Sequence, residues 1–338
     1  MATSMPAPRR RPTAKRPAKP KPKATAGVIG LGIMGSAMAA NLVKAGFRVT
    51  GYDVVPQRRQ QLRRAGGTPV DDCAAVARDA AIIICSLPSS GALLEVATEL
   101  AADTGLSAEA RGAKAGVPKA GRTARATRPP IIVETSTLPI ALKEQAREIL
   151  ATRGIVLLDC PLSGTGSQAR TKDLAVYASG DRAAYRRAVP VLEGFARAQY
   201  YVGPFGAGSK MKFAANLLVA IHNVAAAEAM VLAMKAGLDP ALTLKVLGDG
   251  AGNSRMLQVR GPMMVKGDYA SDVTMKLEVW RKDMSVIAEF AKAVGVATPL
   301  FSATAPIYAA ATAANPTEDT GAVCAVLEAM AHYRRPNP

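Results

Sequence analysis

The chain has 338 residues, 49% of them hydrophobic, which is enough for two domains with packed cores. No uninterrupted apolar run approaches the ~20 residues of a membrane span; the segment 217–233 comes closest, and His222, Asn223 and Glu228 break it. The net charge of +17 would suit a nucleic-acid binder, but residues 1–26 hold eight Lys/Arg and no acid, residues 111–128 hold six more and no acid, and the remainder is nearly neutral.

Residues 1–26 lack apolar periodicity and read as a disordered basic tail. Prolines at 6, 8, 12, 17, 20 and 22 rule out the amphipathic helix of a transit peptide. From residue 27 strand and helix patterns alternate. Short strands are expected at 28–29, 49–52, 82–86, 131–135 and 155–158. Helices are expected at 34–45, 56–65 and 140–152, each stopped by glycine. The β-branched run Ile82, Ile83, Ile84 suits a strand buried on both faces. Such alternation predicts a parallel sheet with crossover helices. Residues 105–129 interrupt it with a Gly/Pro/Ala-rich basic insertion. After Gly203 the pattern is helical throughout, with breaks at 237–240, 248–252, 267 and 295. The expected architecture is therefore a dinucleotide-binding α/β domain at 27–203 followed by an all-α substrate and dimerisation domain at 204–338, joined by a long helix.

The stretch GVIGLGIMGSAMAANLVKAG sets Gly30, Gly32 and Gly35 in a GxGxxG between the first strand and the first helix. Gly30 permits the turn, Gly32 lets a pyrophosphate approach, and Gly35 lets helix and strand pack. The intervening Leu31, Ile33 and Met34 complete the loop. The phosphates would meet the helix N-terminus. Asp53 follows the second strand, 18 residues past Gly35, where a carboxylate can accept from both ribose hydroxyls. It would repel a 2′-phosphate, which favours NAD over NADP. Arg58 and Arg59 lie just beyond and could accommodate NADP instead.

Four motifs in order then resemble the β-hydroxyacid dehydrogenase family, relatives of 3-hydroxyisobutyrate and 6-phosphogluconate dehydrogenases. They are GLGIMGSAMAANLVKAG, LDCPLSGTGSQARTKDL at 158–174, GAGSKMKFAAN at 206–216 and WRKDMSVIAEFA at 280–291. Within the family the closest resemblance is to the branch acting on four-carbon sugar acids such as threonate. The resemblance implies a Rossmann-type domain followed by a helical domain, a homodimer or homotetramer, a cytoplasmic setting and a small hydroxy-acid substrate.

It also assigns residues. Lys212 matches the catalytic lysine and Asn216 its asparagine partner; spaced four apart, they share a helix face. Lys212 would take the hydroxyl proton as hydride leaves to the nicotinamide, and its pKa must fall for that work. The other reading of Lys212 is a lysine snorkelling out of an apolar helix. Asn223 shares the face of Lys212 but suits helix packing better than ligand contact. Ser163 and Gly164 would hold a substrate carboxylate. Thr165 replaces a family glycine there, which puts the substrate in doubt rather than the chemistry. Ser136 and Thr137 match the segment beside the nicotinamide, with a helix N-cap as the alternative role of Thr137. Leu87 and Pro88 match the cofactor-side Leu-Pro, while Ala92 stands where the family often has a polar residue. Lys282 matches a lysine that reaches cofactor and substrate.

No metal site is expected: Cys73, Cys85, Cys160 and Cys324 are far apart and only two histidines accompany them. Two other functions stay open at this point. One is an imine reductase, whose members typically lack the lysine; the other is a dehydrogenase-fold scaffold that touches nucleic acid through its basic tail.

Overall fold

The computed structural model describes residues 23–103 and 129–335. Most of the expected basic tail and insertion lie outside these residues.

The α/β half opens with β1 (Lys23–Ile29), α1 (Ile33–Lys44), β2 (Phe47–Tyr52), α2 (Pro56–Arg64), β3 (Thr68–Pro69) and α3 (Cys73–Asp79). It continues with β4 (Ile82–Cys85), α4 (Ser90–Ala102), β5 (Ile131–Glu134), α5 (Ile140–Ala151) and β6 (Val156–Asp159). It closes with β7 (Leu162–Ser163), α6 (Gly166–Arg170), β8 (Ala175–Ser179), α7 (Arg182–Phe195) and β9 (Ala198–Gly203). The sheet order is β3-β2-β1-β4-β5-β6-β8-β7, with β9 against β8. From β3 to β6 every pair is parallel, in the doubly wound order of a dinucleotide-binding fold.

Three elements depart from the sequence expectation. The first strand begins at Lys23, inside the expected tail, because residues 23–26 pair with β2 although they are short or polar. β6 and β7 meet β8 antiparallel, so the sheet is not wholly parallel. β3, β7, β8 and β9 have no strong apolar pattern and were not expected individually.

Both sheet faces are covered. Met38, Leu42, Leu192 and Phe195 from α1 and α7 fill one side; Val76, Leu93, Leu100 and Leu150 from α3, α4 and α5 fill the other. All four residues of β4 are buried, as the isoleucine run predicted.

The helical half comprises α8 (Ala207–Lys235), α9 (Pro240–Asp249), α10 (Arg255–Lys266), α11 (Leu277–Ala293), α12 (Pro299–Ala314) and α13 (Val323–Met330). The glycine and Asp-Pro breaks fall where the sequence put them: Asp239 caps α9 through Leu242 N–H, and Gly267 ends α10 in a left-handed conformation. Helix α8 is long and apolar enough to cross a membrane by length and composition alone. It serves here as a core helix. Phe213, Met230 and Met234 pack with Trp280, Phe301 and Tyr308. Buried Asn223 donates to Tyr308 Oη (3.0 Å) and the Thr320 carbonyl (2.7 Å), the packing role expected for it.

Candidate active site

The carboxyl ends of β1, β4, β5 and β6 converge with the first turn of α8. At the β1 end, Gly30 has φ +86°, and a Cβ there would lie 2.2 Å from the Ser86 carbonyl oxygen. A Cβ on Gly35 would lie 1.8 Å from the Gly30 oxygen. These two glycines are demanded by the turn and by helix packing. Gly32 is different: a Cβ there meets nothing within 4 Å. The space beside it is therefore open for a ligand. The first intrahelical bond of α1 runs from Ser36 N–H to the Gly32 carbonyl, so the N–H groups of Ile33, Met34 and Gly35 precede the ladder and suit an anion. This loop, with free donors and open room at Gly32, fits the pyrophosphate of a dinucleotide.

Asp53 is only 5% exposed. It holds backbone groups that the ribose contact expected from the sequence did not call for. Oδ2 accepts from Leu31 N–H (2.7 Å) and Oδ1 from Val55 N–H (2.8 Å), so the carboxylate also fixes the glycine loop. Arg58 Nη1 lies 3.3 Å from Oδ2, and Arg59 donates to the Asp53 carbonyl (2.7 Å). Both arginines lie against Asp53, and Arg58 takes up part of its remaining acceptor capacity.

At the ends of β4 and β5, Leu87 N–H donates to Ser136 Oγ (2.9 Å), which joins the loop of Leu87 and Pro88 to the loop after β5. The Thr137 carbonyl accepts from Lys282 Nζ (2.6 Å), a bond between the α/β half and α11. Thr137 is not a helix cap: Pro139 stands at that position of α5.

At β7, the Ser163 hydroxyl bonds to no described residue. Gly164 has φ +134°, and a Cβ there would lie 2.6 Å from Leu174 Cδ2. Thr165 directs its hydroxyl to Ser167 (2.8 Å) and Gln168 (3.3 Å), and its N–H to Gln168 Oε1. The hydroxyl that replaces a family glycine thus serves local structure. Asn41 of α1 donates to the Ala169 carbonyl (2.7 Å), which ties the cofactor helix to this loop.

Helix α8 brings up the last component. Gly206 begins it with φ +88°. Lys212 is half-buried and forms no hydrogen bond or ion pair with a described residue. Burial lowers its pKa; Asp283 opposes this, and Lys282 adds to it as a second cation. Asn216, one turn on, is buried and donates to Asp283 Oδ2 (2.9 Å), and Asp283 Oδ1 lies 3.3 Å from Lys282 Nζ. Lys210, two residues before Lys212, is exposed.

Residues 25–203 match the family described as the NAD binding domain of 6-phosphogluconate dehydrogenase. Residues 206–327 match the family described as NAD-binding of NADP-dependent 3-hydroxyisobutyrate dehydrogenase. L-threonate dehydrogenase of Cupriavidus necator is 33% identical over 88% of this chain and 94% of its own. 3-Hydroxyisobutyrate dehydrogenase of Pseudomonas aeruginosa is 31% identical over 80% and 87%. The chain belongs to the β-hydroxyacid dehydrogenase family. In three dimensions, 3-hydroxyisobutyrate dehydrogenase of Mycobacterium tuberculosis, solved with L-serine, superimposes with a TM-score of 0.74 at 28% identity, over 90% of this chain and 99% of that one. This member is thus an oxidoreductase acting on CH–OH with NAD or NADP, and it lies on the threonate-like side of the family.

Sequence reasoning missed several residues of this dehydrogenase's site. Asp283 holds Asn216 and Lys282; its only signal was its place in the KDM of the fourth motif. Lys143, Glu134 and Asp159, all fully buried, form an ionic cluster behind the Ser136 loop and the start of α8. Each looked unremarkable in sequence, since nothing there shows that three charges meet. Among the described residues no group of His, Cys, Asp and Glu could hold a metal ion.

Proposed function

We propose that this dehydrogenase oxidises a small 3-hydroxy acid, or reduces the matching semialdehyde, with Lys212 as general acid and base. A four-carbon sugar acid of the L-threonate kind is the substrate class that best suits the similarity to L-threonate dehydrogenase. The observation that carries the reading is Lys212 itself: a half-buried lysine without a hydrogen bond or ion pair among the described residues, with Asp283 and a second cation, Lys282, nearby, on the helix that also carries Asn216.

The bound dinucleotide supplies the hydride acceptor for oxidation and the hydride donor for reduction. The chain supplies the rest. Neutral Lys212 takes the hydroxyl proton during oxidation; its ammonium returns a proton to the alkoxide oxygen during reduction. Asn216, oriented by Asp283, holds that oxygen. Ser163 and the backbone at Gly164 receive the substrate carboxylate. Ser136, Thr137 and Lys282 line the nicotinamide side. Buried Asp53 favours NAD over NADP by repulsion, although Arg58 weakens the preference.

A homo-oligomer accords with exposed Met211, Leu218, Ala225 and Leu232, which recur every seven residues along α8 and form an apolar stripe fitted to a second copy. A reducing, cytoplasmic setting suits four buried free thiols.

The test is a panel of three- to six-carbon hydroxy acids assayed with NAD and with NADP. Turnover of a 3-hydroxy acid with NAD is expected. Activity confined to cyclic imines, or none on any hydroxy acid, would contradict the reading.

A further inference from the structure

The ionic cluster behind the cleft has no part in the chemistry described so far. Lys143, on α5, is fully buried. Its ammonium donates to the Ser136 carbonyl (2.7 Å) and to Asp159 Oδ1 (2.8 Å), and it lies 2.6 Å from Glu134 Oε2. Two hydrogen-bond acceptors and a third carboxylate oxygen in ion-pair contact thus surround its three N–H bonds. Glu134 Oε1 accepts from Ser136 N–H (2.8 Å), so lysine and glutamate grip both ends of one residue in the nicotinamide-side loop.

Asp159 faces the other way as well. Its Oδ2 accepts from Ser209 N–H (2.8 Å), and its Oδ1 from Ser209 Oγ (2.8 Å). Ser179 Oγ donates to Asp159 and accepts from Gly208 N–H (2.9 Å). Asp159 and Ser179 therefore cap the first turn of α8 from the sheet. Ser209 precedes Lys212 by three residues, less than one helical turn. With both carboxylates ionised the cluster carries a net negative charge. The N-terminus of α8, whose Gly208 and Ser209 N–H groups donate to Ser179 and Asp159, is suited to offset it.

We propose that Lys143 is a positioning residue that sets the spacing between the Ser136–Thr137 loop and Lys212. Ser136 is held on one side of its ammonium and the start of α8, through Asp159, on the other. Burial opposes the charge on Lys143, yet Glu134 and Asp159 outweigh it and hold the group above the ordinary lysine range, so it stays charged at any working pH. The other titratable groups packed around it are the thiols of Cys85 and Cys160, which burial keeps protonated. This assignment rests on Lys212 being the acid and base.

Lys143→Met keeps the bulk and removes the charge. Glu134 and Asp159 then face each other without a cation, and one must take up a proton to remain there. Turnover of the variant should fall at least tenfold near pH 8 and recover as pH drops, since the shared proton is lost as pH rises through the new carboxylate pKa. The limb is read as the ratio of variant to wild-type oxidative turnover at each pH, which cancels the dependence that Lys212 gives both enzymes. NAD affinity, read by quenching of Trp280 or by calorimetry, should change less than threefold. Lys143→Met combined with Glu134→Gln removes the repulsion and should regain most of the turnover and lose the limb. Wild-type kcat in Lys143→Met across pH would overturn the proposal. So would a loss that shows no pH limb and no rescue in the double variant, because that pattern marks a structural role only. Should Lys143→Met fail to fold, Ser209→Ala, which removes only the hydroxyl contact to Asp159, should lower kcat three- to tenfold at unchanged NAD affinity; unchanged kcat there would equally overturn it. Failure of the underlying reading looks different, since Lys212→Ala would then retain turnover.

Discussion

At the residue scale, the electrostatics around Lys212 make a signed prediction. Burial and Lys282 lower its pKa, and Asp283 raises it. Oxidation needs the neutral amine, so kcat/KM for the hydroxy acid should rise with pH through the Lys212 pKa, below the ordinary lysine value of about 10.4. Reduction needs the ammonium and should fall through the same pKa. Lys282→Ala should move this limb to higher pH and Asp283→Asn to lower pH. Limbs that stay in place in both variants would remove Lys212 from the titration. Asp53 and Arg58 form a second opposed pair at the ribose end. Asp53→Ser should narrow the ratio of NAD to NADP kcat/KM by removing the repulsion, and it should weaken binding of both cofactors because Leu31 loses its acceptor. Arg58→Ala should widen the ratio. A wild type that prefers NADP would contradict this account of Asp53.

At the element scale, the placement of α8 depends on one missing side chain. A Cβ on Gly208 would lie 2.3 Å from the Tyr177 carbonyl oxygen and 2.6 Å from the Asp159 carbonyl oxygen, both rigid strand backbone. Gly208→Ala should therefore push the helix start off the sheet and cost about 1–3 kcal/mol of stability, as overpacking does. The urea midpoint and kcat should both fall; an unchanged midpoint would mean that the helix can shift freely. The sequence showed this element's face of Lys212 and Asn216 through their spacing of four. It showed the glycine-stopped helices and the isoleucine strand because those signals are local. It did not show β7, β8 and β9, whose residues are small or polar and are held by pairing with distant strands. Nor did it show Asp283 or the Lys143 cluster: a buried charge is recognised only by its partners, and Glu134 and Asp159 lie 9 and 16 residues from Lys143, Asn216 67 from Asp283.

At the scale of the whole molecule, the cleft lies at the carboxyl edge of the sheet, whereas β1 and β5, the described strands that follow the basic segments in sequence, begin at the opposite edge. Replacing 108–126 by a short Gly/Ser linker should accordingly leave kcat unchanged. The same reasoning separates catalysis from assembly. Leu218→Glu with Leu232→Glu places charges in the exposed stripe of α8, and sedimentation should show dissociation to monomers. An oligomer of unchanged size would place the interface elsewhere.

The central claim is that Lys212 moves the substrate proton while the dinucleotide is held by other residues. Lys212→Ala tests it most directly when kcat and the NAD dissociation constant are measured together. The account predicts a loss of about 10²–10⁴-fold in kcat with NAD affinity nearly intact. A variant that kept more than roughly a third of wild-type kcat would contradict it, since that is far less than such a group contributes.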